Sequence, residues 1–501
     1  MRAASREVDI AHTHPVERPT ARLQSLKKVH HDAAAFAHRQ FATDSGVRTQ
    51  RGPVGATFAL QVRLPEILAG MVKAAMPNPD PKLNAGGDSK RAIWGWSIYD
   101  WANSAFTTTV LAAFFPIYFR KVYSVGAPAV VVTSRLASAN SFSVLVVVLL
   151  APIFGAIADA SAKRKWALTL GMLLGSAATA YLAVVGRGDW FMAAAVFALA
   201  NIGFSLSNVF YDSLLVVVAK DRERDRVSAL GYALGYLGGG LLFLVNVAMY
   251  SKPSLFHIHD QDRAVRLSFV SVALWWAIFT SPLLRWVREP KRTGTQGTKS
   301  AVSVALKELW TTAKSLPSQR TLLTFLIAYW LYIDGVGTVI RMALDYGNSI
   351  GLATTHLILA LLMTQFIGFP AAILFGRLGE RWGAQRSVLL GIAVYAVVTV
   401  FATRMHTAGE FYALAATVGL VQGGVQSLSR SIYSRLIPAD RASEYFGFYG
   451  VLDKSAAFFG PLLMGWVGLY TNNSRQGILS LLVLFVAGGW LLAKVRLPAA
   501  E

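Results

Sequence analysis

Long, repeated blocks of apolar residues govern what this chain can become. From Trp94 onward twelve such blocks lie near 94–119, 136–158, 165–185, 190–217, 228–250, 267–286, 321–343, 352–376, 387–404, 410–437, 446–470 and 478–495. About 20 apolar residues suffice to cross a hydrocarbon core. In lipid every backbone N–H and C=O needs an internal partner, so a span is either a helix or a strand of a closed barrel. The blocks are far longer than a barrel strand of about 10 residues, so the expected fold class is an all-α membrane protein with twelve spans. Composition agrees: 15% of the residues are charged and 54% hydrophobic, against roughly 25% charged in soluble domains.

The formal net charge is +21, a value that could suggest nucleic acid. The basic residues sit mainly in short loops between apolar blocks, which fits the positive-inside rule and anionic lipid headgroups instead. Lys163, Arg164, Lys165, Lys220, Arg222, Arg224, Arg226, Arg377, Arg381, Arg386 and Arg441 fall on one side. The central segment 287–320 joins them through Arg288, Lys291, Arg292, Lys299, Lys307, Lys314 and Arg320. Both termini and this segment are therefore expected to be cytoplasmic, in a multi-pass protein of a cell membrane such as a bacterial inner membrane, with a vacuolar-type membrane as the alternative. The expected division is a tail (1–90), a six-helix half (91–286), a cytoplasmic linker (287–320) and a second six-helix half (321–501). The tail carries five of the nine histidines, and its apolar patch is broken by Arg63, Pro65 and Glu66. It reads as a disordered, dispensable segment, or as sequence that is not translated, from a start assigned too far upstream of a true start at Met71 or Met76.

The halves carry matching landmarks. Gly155-Ala-Ile-Ala-Asp159 ends span 2 before Arg164, and Gly376-Arg-Leu-Gly-Glu380 ends span 8 before Arg386. Tyr211 and Tyr433, near the ends of spans 4 and 10, recur at nearly the same offset. Two pseudo-symmetric halves are expected. The gate candidates are Gly155, Asp159 and Arg164 with Gly376, Glu380 and Arg386. An acid at a span end can meet the N-terminus of a neighbouring helix and favour one packing through the helix dipole; a fixed topological anchor is the alternative.

Polar residues inside spans are costly and face an interior cavity. Helical spacing gathers them into stripes. Span 1 carries Trp96, Asp100, Asn103 and Thr107, and span 4 carries Asn201, Ser205, Asn208 and Asp212. Span 7 carries Asp334, Thr338, Arg341 and Asp345, and span 10 carries Gln422, Gln426, Arg430 and Ser434. From these stripes Asp100, Asn103, Asn208, Asp212, Asp334, Arg341, Gln422, Gln426 and Arg430 are the candidate substrate-binding residues. Arg430 cannot be discharged and grips carboxylates bidentately. It is expected either to bind an anionic substrate group or to pair with Asp212 or Asp334. A carboxylate that changes charge during transport would couple it to protons, and Asp100, Asp212 and Asp334 are the candidates. Asp453 and Lys454, adjacent in span 11, read as structural residues on different faces. Gly231, Gly235 and Gly239 read as a helix-packing stripe. His257 and His259 lie in a polar loop. The chain has no cysteine, and no catalytic triad, zinc signature or paired-carboxylate motif is present, so neither an enzyme nor a cofactor or metal is expected.

These strings resemble a known family. Tyr99-Asp-Trp-Ala-Asn-Ser-Ala-Phe106 runs on to Phe114-Phe-Pro-Ile-Tyr118, and span 7 reads Ala328-Tyr-Trp-Leu-Tyr-Ile-Asp-Gly335. Span 10 contains Gln422-Gly-Gly-Val-Gln-Ser-Leu-Ser-Arg-Ser431, and span 11 opens with Glu444-Tyr-Phe-Gly-Phe-Tyr449. Over about residues 91–496 the chain resembles the autophagy vacuole-effluxer family of the major facilitator superfamily. The resemblance implies the twelve-helix major facilitator fold, a cavity lined by spans 1, 4, 7 and 10, alternating access, and export of small solutes, amino acids foremost. The implied partners are a small zwitterionic substrate, protons and the bilayer. Proton-coupled multidrug-type efflux is the second reading, with Trp96, Tyr99 and Trp330 as the contacts. A non-transporting membrane scaffold or a lipid-moving protein is the reading from another class.

Overall fold

The computed structural model describes residues 86–289, 307–312, 314–349 and 352–497, with the backbone alone described for 341–349. These residues belong to one packed unit. Twelve long helices are present among them: α1 (Ser89–Tyr123), α2 (Ala129–Ser161), α3 (Arg164–Tyr181), α4 (Trp190–Ser213), α5 (Arg224–Ser251), α6 (Gln261–Trp286), α7 (Arg320–Ser349), α8 (Thr354–Trp382), α9 (Ala384–Ala402), α10 (Ala408–Leu436), α11 (Ala442–Tyr470) and α12 (Ser474–Lys494). Each expected span has its helix. The helical backbone already runs from Gly86, within the stretch given to the tail; the tail reading for residues 1–85 falls outside the described residues.

Boundaries shift where charged residues belong to the helix although they lie beyond the apolar block. Helix α2 begins at Ala129, seven residues before the expected start at 136, and takes in Arg135, whose guanidinium lies 3.9 Å from the ring centroid of Trp190. Within the segment expected to be a plain linker, residues 307–312 are helical. Arg441 fastens this stretch to the start of α11, donating to the carbonyl of Glu308 at 3.0 Å and to the hydroxyl of Thr312. Helix α1 holds a π-helical stretch, Phe106–Phe114, directly after its polar residues. Such stretches are rare and often accompany functional sites.

Ten of the helices are long and apolar enough to cross a membrane. Helices α10 and α11 fall outside that set; they carry Gln422, Gln426 and Arg430, and Asp453 and Lys454, at membrane depth. Large apolar side chains such as Phe142, Leu149, Val397, Val483 and Trp490 are exposed on the outside of the bundle. In water such a surface would demand a partner; in a bilayer it meets hydrocarbon, and the chain is an integral multi-pass membrane protein.

The two six-helix halves, α1–α6 and α7–α12, meet along two seams, α2 against α11 and α5 against α8. Adding six to each helix number turns one seam into the other, which is the pseudo-symmetry expected from the matching landmarks. Within the first half α1 packs on α5 across the stripe Gly231, Gly235 and Gly239. A Cβ at Gly239 would stand 3.0 Å from the Ser104 carbonyl oxygen, a backbone atom that cannot swing away. We expect Gly239→Val to lower the melting temperature in detergent, because overpacking of this kind costs about 1–3 kcal/mol. Gly465→Val on α11, where an added Cβ meets nothing within 4 Å, is the control; equal melting temperatures for the two variants would refute the close α1–α5 seam.

Candidate functional site

Arg430 is the centre around which the polar residues of the first half are arranged. It projects from α10 and is 2% exposed. Nη1 donates to Asp212 Oδ1 at 2.8 Å, Nε to Ser228 Oγ at 2.9 Å and Nη2 to the Ser228 carbonyl at 3.0 Å. Asp100 Oδ2 lies 3.6 Å from Nη2. Three rings surround the guanidinium, with centroids 4.8 Å (Trp96), 5.3 Å (Tyr211) and 4.5 Å (Tyr232) from Cζ. Their π faces favour a cation. Asp100 is held in turn: the Tyr211 hydroxyl donates to its Oδ2 at 2.9 Å, and Trp96 Nε1 donates to the Tyr211 carbonyl at 2.8 Å. Every one of these partners belongs to α1, α4 or α5, so a cation of the second half is held entirely by the first.

Of the two acids expected to pair with Arg430, the structure selects Asp212. Asp334 is 2% exposed and lies beside Gly460 of α11, where an added Cβ would stand 2.9 Å from its Oδ1. The side chain of Arg341 lies outside the described residues. Asn103 Nδ2 donates to Asn208 Oδ1 at 2.6 Å, tying α1 to α4 beside the cluster. Asn201, at the other end of its stripe, donates to Ser143 of α2 at 3.0 Å and so serves packing. Gln422 and Gln426 are half-buried on the face of α10 that carries Arg430. Ser228 and Tyr232 escaped the sequence reading. Their spacing puts them on one face of α5, but a lone hydroxyl residue beside a glycine stripe looks like packing.

The gate candidates divide. Asp159, 4% exposed, accepts from Arg164 Nε at 2.7 Å and from the backbone N–H of Glu444 at 2.9 Å. Glu444 is the third residue of α11, so the carboxylate sits on a helix N-terminus, as its position at a span end implied. Arg164 Nη2 reaches on to the carbonyls of Ala439 and Asp440 at 3.0 and 3.2 Å. A Cβ on Gly155 would overlap the carbonyl of Ser443, so only glycine lets α2 approach this closely. In the second half Glu380 and Arg386 are both exposed. Gly376 does meet α5 closely, with Ala229 Cβ 2.6 Å from the position of an added Cβ, and the exposed Glu380 interacts electrostatically with Arg226 of α5; further ionic contacts run from α5 to α10. Asp225 accepts from Ser431 at 2.6 Å and pairs with Arg435 at 2.9 Å, and Arg224 donates to the Ser434 carbonyl at 2.9 Å. In the sequence Arg224 counted only among the loop charges that set topology, and Asp225 and Arg435 were not singled out.

Residues 88–500 match the family described as vacuole effluxer Atg22 like. The chain belongs to this family. It is 36% identical over 402 residues to the protein named "Uncharacterized MFS-type transporter YxiO" of Bacillus subtilis (strain 168), covering 80% of this chain and 94% of that one. Autophagy-related protein 22 of Yarrowia lipolytica (strain CLIB 122 / E 150) is 26% identical over 290 residues, 52% of this chain and 48% of its own length. The chain thus spans about half the length of that fungal relative. The fold is that of the proton:xylose symporter XylE, with a TM-score of 0.60 at 13% identity over 81% of this chain and 94% of that one. This member of the vacuole effluxer Atg22-like family is a membrane transporter of the major facilitator type.

In this family member the Asp159 end of the bundle is the tightly closed one, and Asp159→Asn tests its role as a gate. The amide keeps one acceptor but turns an N–H₂ toward a donor. Ser213, fully buried and hydrogen-bonded to Ser443, reports opening when replaced by cysteine in this cysteine-free chain. We expect methanethiosulfonate labelling of Ser213→Cys to quicken roughly fivefold or more in the Asp159→Asn background, the range of a 1–3 kcal/mol coupling. Equal labelling rates would leave Asp159 as an anchor with no gating role.

Proposed function

We propose that this transporter exports small zwitterionic solutes, amino acids foremost, by alternating access, with the Asp159 end facing the cytoplasm. Support for that orientation comes from Lys163, Arg164, Lys220, Arg222 and Arg441, which lie at this end, as the positive-inside rule requires of cytoplasmic loops. Support for efflux comes from the family description, vacuole effluxer. The observation that carries the mechanism is the burial of a second-half guanidinium among first-half carboxylates and rings. An unpaired charge at this depth is costly. The halves can therefore separate here only if Arg430 is handed to another anion or if its acids are neutralised, by substrate or by protons. Transport of a labelled amino-acid panel in proteoliposomes, with and without a pH gradient, tests substrate class and coupling together.

Arg430 has a sharper test. Arg430→Lys keeps the charge but loses the fork that serves Asp212 and Ser228 at once; transport should fall about tenfold or more, since each lost charged hydrogen bond is worth roughly 1.5–3 kcal/mol. Arg430→Ala strands buried acids and should cost about 3–5 kcal/mol of stability. Adding Asp212→Asn should recover part of the melting temperature and none of the transport. Recovery of both would reduce the pair to packing, and full transport by Arg430→Ala would remove it from the mechanism.

A further inference from the structure

Arg430 is already engaged: Nε, Nη1 and Nη2 each donate to Asp212 or Ser228, three rings lie within 5.3 Å, and its side chain is 3% exposed. Its partner Asp212 is 21% exposed, and more exposed still are Asp453 and Lys454 of α11, whose side chains are 40% and 25% exposed. They were expected to be structural and to point apart. Instead Lys454 Nζ lies 3.8 Å from Asp453 Oδ2. Asp453 accepts from the Tyr329 hydroxyl of α7 at 3.1 Å, and Lys454 stands 5.7 Å from the ring centroid of Phe204 on α4. The pair therefore bridges the gap between the two halves. Asp453 also interacts electrostatically with Asp212 and Tyr232, so it faces the interior of the bundle. Phe204 is itself buried and packs against Phe106 and Trp276 in the interior of the first half. One turn nearer the Asp159 end, Gly450 faces Val209, which an added Cβ would meet at 3.2 Å, and the gap is filled.

We propose that Lys454 and Asp453 are the solute-binding pair, Lys454 taking the anionic end and Asp453 the cationic end of a zwitterion, while Arg430 holds the halves beneath them. This rests on the amino-acid reading above. At 3.8 Å the two charges neutralise each other without a close hydrogen bond, so each gains a nearer partner when a zwitterion inserts between them. Tyr329 keeps Asp453 aimed at the gap. A solute with only one charge leaves one member of the pair less well matched, which gives selection for dipolar solutes.

Two measurements on the full-length protein decide this. The chain has no cysteine, so Lys454→Cys offers a single thiol. It should react with the water-soluble methanethiosulfonate ethyltrimethylammonium; a silent thiol would show that position 454 does not face water and overturn the proposal. Binding is then read by thermal shift with the twenty protein-forming L-amino acids, followed by the amide and the des-amino acid of whichever binds tightest. The parent should prefer the amino acid to its amide by about tenfold, the value of one charged contact. Lys454→Gln should abolish that preference and Lys454→Arg should keep it. Asp453→Asn should abolish the preference over the des-amino acid, and this arm with Lys454→Arg decides should Lys454→Gln not fold. Parent-like preferences in Lys454→Gln or in Asp453→Asn overturn the proposal alone. A reactive thiol with none of the twenty amino acids stabilising the parent overturns the amino-acid reading and this assignment with it.

Discussion

A guanidinium that cannot lose its proton lies at membrane depth, and the rest of the bundle accommodates it. Arg430 comes from the second half, yet Asp100, Asp212, Ser228 and three rings that hold it come from α1, α4 and α5. Bringing those groups to one point requires α1 to lie close on α5, which the stripe Gly231, Gly235 and Gly239 permits. Trp96 and Tyr211 stack beside Arg430, with centroids 4.5 Å apart, and the Tyr211 hydroxyl holds Asp100. A charge held this way must be paired in each conformation the protein visits. Motion between the halves is therefore an exchange of anions at Arg430 and not a free hinge.

The two pseudo-symmetric seams are unequal. Along α2 and α11 the buried Asp159 caps a helix N-terminus and Arg164 reaches past it to the α10–α11 connection. Along α5 and α8 the exposed Glu380 interacts electrostatically with Arg226, and Asp225 with Arg435 adds a cross-half pair from α5 to α10. The cross-half hydrogen bonds named here all lie between the Asp159 end and Arg430, whereas the exposed charges of α11 lie on the other side of Arg430. The named cross-half contacts thus concentrate at the Asp159 end, and the exposed charges of α11 lie beyond them.

The twelve helices were legible because twenty-residue apolar blocks have one structural outcome in lipid. Their ends were less legible: at Arg135 the helix outruns the apolar block, because it continues beyond the hydrocarbon. Arg430 and Asp212 could be found by helical spacing, since a charge inside a span has no bland explanation. Choosing Asp212 over Asp334 could not, because spacing places a residue on a face but does not say which faces meet. Asp225 and Arg435 were hidden for the opposite reason: charges near a span end are common for topology alone. The approach of Asp453 and Lys454 was not legible because neighbours in a helix start on different faces, while long side chains can fold back together.

The central claim is that pairing at Arg430 holds the Asp159 end shut. Spin labels on cysteines replacing Lys163 and Asp440 flank that end; the Asp440 contact uses its backbone carbonyl, so it survives the replacement. Electron–electron double resonance should give a mainly short distance in the parent and a clear shift of population to a longer one when Arg430→Ala is added. The same distance distribution in both proteins would contradict the account.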